Sequence, residues 1–485
     1  MSNHERSALL SRRGFLRTCG ALTGTAALSS LDSAGQSNRA PRHIVLCVAD
    51  DLGWHETGYR GHARLKTPVL DEMASSGLRF DRFYAAAPVC SPTRGSIMTG
   101  RHPNRYGTFA PNYAIRPEEV TIAQLLRQQG YATGLFGKWH LGPSRAGAPN
   151  NPGNMGFDEW VSTDNFFGHS PLMSRNGAEP ERHHGESSET VVRQALRFFE
   201  DQVRAGKPSF TMVCFGSPHE PYSPMDDDMI PYVGLPDRLQ QRFGEITAMD
   251  RAMGQLREGI RKTGVREDTL LWFVSDNGTP TPDVVDTHLR GSKGNVYEGG
   301  VRVPALIEWP ARVPQPRVTE MRAVTSDILP TLCELTGAAK PQRPLDGISL
   351  VPLLNGVVNE RKEAICFWRY DTQREAQENP EPYLDPATQR GNIPTSRVRN
   401  IQFMNYRHRK ARTSDFGGMA AITGPQYKLV VTPEGEKQLF DLKNDDAEKT
   451  DMASQKPELV KQLLAELEDW QRSVERSLTA ADYSR

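Results

Sequence analysis

The chain has 485 residues, and its 59 Lys+Arg balance 59 Asp+Glu to a formal net charge of zero. That length accommodates about three domains at roughly 150 residues each, or one large α/β domain with an appendage. Neutrality argues against a dedicated nucleic-acid or polybasic membrane binder, six cysteines are too few for a disulfide scaffold, and no run of about 20 apolar residues offers a transmembrane segment.

Residues 1–34 read as an export signal. Ser11-Arg12-Arg13-Gly14-Phe15-Leu16-Arg17 is a basic cluster, a weakly apolar run follows from Ala21 to Ser30, and small residues come near Ser33-Ala34. The arginine pair before Phe15-Leu16 resembles the twin-arginine type, which predicts passage through the twin-arginine export machinery to a bacterial periplasm or beyond. Cys19 precedes the apolar run, so it does not suit a lipid anchor. The segment holds Arg6, Arg12, Arg13 and Arg17 against Glu5 and Asp32, so its removal leaves the rest slightly acidic.

Four apolar runs then end in chemically capable residues. His43–Ala49 leads into Asp50-Asp51, Tyr131–Gly137 into Lys138-Trp139-His140, Phe210–Phe215 towards His219, and Thr269–Ser275 into Asp276-Asn277-Gly278. Continuous apolar runs suit strands buried on both faces. Helical stretches over Thr121–Gln129, Glu189–Val203 and Phe243–Lys262 precede the last three, with Ser187 or Ser188 available to cap the middle one. Alternating strands and helices predict an α/β fold with a large, mostly parallel sheet flanked by helices. Ligands bind beyond the carboxyl ends of such strands, where Asp50, Asp51, Lys138, His140, His219, Asp276 and Asn277 would collect.

Three carboxylates and an amide oxygen are hard ligands that suit Ca²⁺, Mg²⁺ or Mn²⁺ over Zn²⁺, and neither CxxC nor HExxH is present. Lys138, His140 and His219 add cationic or protonatable groups fit for an anionic substrate and a leaving group that needs a proton. In Cys90-Ser91-Pro92-Thr93-Arg94, Ser91 could cap and Pro92 begin a helix, which places Cys90 at its N-terminus and Arg94 a turn on. That setting favours a thiolate and an anion. A lone cysteine is also often a buried small hydrophobe, and the residues by themselves leave Cys90 undecided.

Cys90-Ser91-Pro92-Thr93-Arg94 with Thr99-Gly100-Arg101 resembles the Cys-x-Pro-x-Arg signature of the type I, formylglycine-dependent sulfatase family of the alkaline phosphatase superfamily. Ala49–Trp54, Gly137–Gly142, Ser275–Gly278, Gly291–Gly294 and Glu298–Pro304 are family-like and in family order, as are Tyr427–Leu429 and Leu439–Leu442 near the end. The resemblance spans about residues 41–470 and is carried by many ordered motifs. It implies that a formylglycine-generating or anaerobic sulfatase-maturating enzyme oxidises Cys90 to Cα-formylglycine, whose hydrated diol attacks sulfur and later expels sulfate as the aldehyde re-forms. It implies that Asp50, Asp51, Asp276 and Asn277, with the oxygen of modified Cys90, hold Ca²⁺, with Mg²⁺ the alternative. Arg94 and Lys138 would stabilise the formylglycine oxygens, His140 would serve the diol proton, and His219 and Lys293 would bind sulfate and protonate the departing alcohol. The substrate this suggests is a sulfated carbohydrate or another O-sulfate ester. Two alternatives stand beside it: a phosphonate or phosphate ester hydrolase of the same superfamily, and a catalytically silent protein that binds sulfated glycans.

The expected organisation is a signal over 1–34, a catalytic domain over 41–360 and a C-terminal subdomain over 361–485 with a polar insertion near 371–399. In that last part Tyr427–Asp441 suggests a hairpin about Pro433-Glu434-Gly435, and Pro457–Val474 an amphipathic helix; the family resemblance implies a small antiparallel sheet with a terminal helix. Asn165 and His169 fall in a stretch expected to contact substrate, His183-His184 in a solvated one, and His55 and His62 either at the pocket rim or in an ordinary loop.

Overall fold

The computed structural model describes residues 39–280, 287–371, 381–389, 392–394, 401–409 and 417–483. The export-signal reading of 1–34, with Cys19, lies outside these residues, as do parts of the 371–399 insertion.

The apolar runs form strands where the pattern predicts them. In chain order the strands are β1 His43–Ala49, β2 Leu78–Tyr84, β3 Ala132–Lys138, β4 Glu159–Thr163, β5 Leu172–Arg175, β6 Glu181–Arg182, β7 Ser209–Cys214, β8 Thr269–Ser275, β9 Arg302–Glu308, β10 Arg317–Thr319 and β11 Ala323–Val324. They make one sheet in the order β10-β2-β9-β8-β1-β7-β3-β4-β5-β6, with β11 also on β2. The centre, β8-β1-β7-β3-β4, is wholly parallel, and antiparallel pairing is confined to the flanks. Every residue of β1 is buried. Its alternate side chains feed two cores: Ile44, Leu46 and Val48 one, Val45, Cys47 and Ala49 the other. This is the two-faced burial that a continuous apolar run requires.

Five helices bear on the argument: α1 Pro68–Ser76, α2 Cys90–Thr99, α3 Ile122–Gln128, α4 Ser187–Arg204 and α5 Asp237–Lys262. Apolar residues of α2 and α3 enter one core, those of α1, α4 and α5 the other. A capping box closes α3, with Thr121 and Gln124 each accepting from the other's backbone. Two expected caps differ. The N-cap of α4 is Glu186, whose carboxylate accepts from the Ser188 and Glu189 amides, and not Ser187 or Ser188. Helix α2 begins at Cys90 itself, after Val89 and without a side-chain cap.

Further along the chain, β12 Ile365–Trp368, β13 Glu381–Pro382, β14 Tyr406–Arg407, β15 Ala420–Thr423, β16 Tyr427–Val431 and β17 Lys437–Asp441 follow. An antiparallel sheet runs β12-β15-β16-β17, and the expected hairpin is β16–β17. One face of this sheet packs Phe367, Ala421, Val430 and Phe440 against Tyr84, Val301 and Val324 of the large sheet's side. Its other face packs Leu429 and Leu439 against Leu463, Leu467 and Val474 of α6 Pro457–Leu478. No helix among the described residues is long and apolar enough to cross a membrane.

Candidate active site

Asp50 and Asp51 leave the carboxyl end of β1, Lys138 ends β3, Asp276 and Asn277 follow β8, and His219 lies in the loop after β7. Ligand atoms of Asp50, Asp51, Cys90 and His219 all fall within 4.8 Å of one another. Asp276 joins them through Oδ1, which accepts from the Asp51 amide at 3.1 Å, and Asn277 through Nδ2, which donates to Asp51 Oδ1 at 2.8 Å. Asp51 has φ 67° and His140 φ 56°, the left-handed region that non-glycine residues enter only when their surroundings hold them there, at about 1–3 kcal/mol each. Gly137 has φ 102°, and a Cβ there would lie 1.8 Å from the Cys214 carbonyl oxygen, so only glycine lets β3 deliver Lys138 against β7.

Cations face these acids. Lys138 Nζ donates to Asp50 Oδ2 at 2.6 Å, and Lys293 Nζ donates to both oxygens of Asp51 at 2.6 and 2.8 Å. Arg94 Nε donates to Asp276 Oδ2 at 2.9 Å and its NH1 to the Lys138 carbonyl at 3.1 Å. Burial alone would raise all three carboxyls, but Lys138 and His219 hold Asp50 below the usual carboxylate range, and Lys293 does the same for Asp51. Asp276 is pushed up to about 7, by burial and by its neighbour Asp50. Crowding of three carboxylates in a buried pocket is a repulsion that a divalent cation would relieve. Asp50 Oδ1 and Asn277 Oδ1 are buried without a hydrogen-bond partner among the described residues. These hard oxygen donors fit Ca²⁺.

Cys90 is 1% exposed at the first position of α2, all ten residues of which are buried. Burial pushes its thiol up to about 12, with Lys138 and Lys293 only partly offsetting this. The helix N-terminus and the two lysines would attract an anion, but the unmodified thiol stays protonated there. His140 Nε2–H donates to Asn112 Oδ1 at 2.9 Å, and Nδ1 is buried without a partner among the described residues. Burial and the surrounding cations hold its pKa far below the usual range, so the ring is neutral and Nδ1 keeps its lone pair. The His219 ring lies nearly parallel to Phe166 at 4.8 Å, its Nδ1–H donates to the Glu220 carbonyl, and its Nε2 stands 3.7 Å from Asp51 Oδ2.

Several neighbours escape a sequence reading. Asn112 joins His140 to α2, since its amide N–H donates to Ser91 Oγ at 3.1 Å. Ser217 lends its carbonyl to the Asp50 amide at 3.1 Å and its hydroxyl to Glu245, which also accepts from the Ser223 amide at 2.7 Å. Asn165 reaches Asn112 at 3.4 Å, whereas His169 is exposed and pairs with Ser170. His184 is exposed, His183 half-buried, and His62 is packed on Phe243, so none of the three joins the cluster. Two cavities flank the site. One of about 370 Å³ is lined by Val89, Phe109, Gly294, Arg369 and Tyr370, and one of about 280 Å³ by Asp164, Asn165, Phe166 and Ile393.

A family model described as Sulfatase matches residues 42–338. Human (Homo sapiens) arylsulfatase A is 33% identical over 374 residues, covering 69% of this chain and 72% of its own. The N-acetylgalactosamine-6-sulfatase of Canis lupus familiaris is 31% identical over 395 residues, covering 73% and 74%. Among solved structures, Ps i-CgsB in complex with k-i-k-neocarrahexaose superposes with a TM-score of 0.75 at 26% identity, covering 90% of this chain and 94% of that one. An acid-and-cation pocket at the carboxyl edge of a parallel sheet, on a chain matched this far along its length, belongs to the type I sulfatase family of the alkaline phosphatase superfamily, and the protein is a sulfatase.

Proposed function

We propose that this sulfatase releases inorganic sulfate from O-sulfated carbohydrates, using formylglycine formed from Cys90 and a bound Ca²⁺. The observation that carries the reading is the open pocket: buried oxygen acceptors on Asp50 and Asn277, without hydrogen-bond partners among the described residues, beside Cys90 at the first turn of a buried helix. Asp50, Asp51, Asp276 and Asn277 would hold the cation, which when bound neutralises sulfate charge and acidifies the hydrated aldehyde.

The chain's own groups divide the remaining work. Arg94 and Lys138 hold the oxygens at position 90. One of these attacks sulfur as the S–O bond to the alcohol breaks, and His219 or Lys293 supplies the proton that a basic alkoxide needs. Neutral His140 accepts the proton of the second oxygen as the carbon–oxygen bond to sulfate breaks and the carbonyl re-forms. Water then rehydrates the aldehyde. The printed names of two matched proteins, an N-acetylgalactosamine-6-sulfatase and a structure bound to neocarrahexaose, support a sugar as the alcohol, and the two flanking cavities offer it room. Residues 1–34 support twin-arginine export to the periplasm or beyond.

The test is sulfate release from defined sulfated sugars, run beside paired aryl sulfate and aryl phosphonate substrates, with mass spectrometry of the Cys90 peptide. We expect sulfate release, and a loss of ~18 Da at Cys90 on conversion of thiol to aldehyde. A large phosphonate preference, or full activity with Cys90 unmodified, overturns the reading.

A further inference from the structure

We propose that the buried Arg242–Glu56 pair is a positioning clamp that holds the cation pocket and the His219 loop in register. Arg242, on α5, is 0% exposed, as is Glu56. Its Nε and NH2 donate to the two Glu56 oxygens at 2.6 Å each. The same NH2 donates to the Asp51 carbonyl at 2.7 Å, and NH1 donates to the Pro218 carbonyl at 2.9 Å and to the Tyr222 hydroxyl at 3.2 Å. Glu56 Oε2 also accepts from the Gly53 amide at 2.7 Å, closing the turn just after Asp51.

One planar guanidinium thus grips the backbone of Asp51 and of the residue before His219, which come from different strands of the sheet. A rigid fork is what this needs: donors aimed in several fixed directions, which an ammonium on a flexible stem does not offer. The grip falls on the carbonyl of Asp51, a non-glycine residue with φ 67° whose conformation has to be imposed from outside. Glu56 cancels the guanidinium charge, so the clamp adds no net positive charge behind a pocket that must receive a cation. Arg242 acts through Asp51 and His219 and touches no substrate.

The inference rests on the cation pocket proposed above, and the experiment separates the two. Ca²⁺ alone is titrated calorimetrically into the full chain stripped of metal, and kcat is measured on an aryl sulfate and on an alkyl sulfate. Arg242→Lys keeps the charge and loses the fork. The double variant Glu56→Gln with Arg242→Met removes both charges, so that neither is stranded in the interior. Expected for folded variants is Ca²⁺ affinity about 10–100-fold weaker than wild type, as loss of an outer-shell partner brings. The kcat should fall more on the alkyl sulfate, whose leaving group depends most on a well-placed proton donor. Absence of Ca²⁺ binding in the wild type overturns the pocket itself. Variants that bind Ca²⁺ and turn over both substrates as the wild type does overturn the clamp alone. Failure of both variants to fold assigns the pair to stability and overturns positioning.

Discussion

Asp50, Asp51 and Asp276 share their pocket with Arg94, Lys138 and Lys293, while Glu298 and Glu448 share theirs with Lys428, beside Tyr84 of the large sheet and β16 of the small one. Both clusters are buried. In the second, every carboxylate oxygen has a close partner: Lys428 Nζ donates to Glu298 Oε1 at 3.0 Å and forms an ion pair, without a hydrogen bond, with Glu448 Oε1 at 3.0 Å, the Tyr84 hydroxyl donates to Glu298 Oε2 at 3.1 Å, and the Glu298 amide donates to Glu448 Oε2 at 2.7 Å. In the first, Asn277 Oδ1 and His140 Nδ1 have no hydrogen-bond partner among the described residues, and Asp50 Oδ1 has only a long ion pair with Arg94 NH2 at 3.8 Å. Buried polar groups are ordinarily satisfied, because an unmade bond costs about 1–3 kcal/mol. The closely paired cluster therefore reports stability, and the looser one, at the carboxyl edge of the parallel sheet, leaves acceptors for a ligand.

The sharpest contrast comes from the nucleophile. Cys90→Ala should lower sulfate release by at least about 10³-fold while thermal melting stays near wild type, because the change removes chemistry and little volume; retained turnover would remove Cys90 from the reaction. Lys428→Met in the closely paired cluster should do the reverse. Stranding two carboxylates should destabilise the fold by about 3–5 kcal/mol, read in urea, with kcat per folded molecule unchanged. An equal loss of kcat would mean the two clusters are coupled. Asn277→Leu removes an open acceptor and the Nδ2 donor to Asp51. Ca²⁺ binding should weaken by about 10–100-fold, while stability in metal-free buffer should fall by only about 1 kcal/mol, because Lys293 still holds Asp51 Oδ1.

The smallest effect concerns pH. Burial pushes Glu245, under the His219 loop, up to about 7, with hydrogen bonds from Ser217 and the Ser223 amide only partly offsetting it. A carboxyl raised in the folded state binds more protons folded than unfolded, so its contribution to stability declines as pH rises from about 4.5 through 7 and levels off above that. One such group gives a slope of at most about 1.4 kcal/mol per pH unit. Glu245→Gln should flatten the melting profile across that window; an unchanged slope would place the titration elsewhere.

What the chain discloses before folding follows from how local each signal is. Strands β1 and β8 stand where their apolar runs stand, because burial on both faces writes itself into consecutive residues. The sheet-edge rule then gathers Asp50, Lys138, His219 and Asp276 without any knowledge of which strands are neighbours. Caps were less legible. Glu186 serves α4 although glutamate is a poor cap by preference, since its longer side chain can still curl back to two amides. Arg242 and Asn112 were invisible, because each acts through partners distant in sequence. Nothing local marks an arginine on a helix as the holder of Asp51, or an asparagine as the partner of His140.

The burial of Cys90 also carries a timetable. On the proposed chemistry, a second enzyme that rewrites this side chain would have to reach it, and in the finished molecule the Cys90–Arg94 segment is a helix walled in on every side. The edit must therefore be made while the chain is still unfolded, and a molecule that folds first is shut out of activity. Yield of working enzyme then depends on a race between folding and modification, and a mutation that merely hastens the closure of α2 would lower activity without touching any group that meets the substrate.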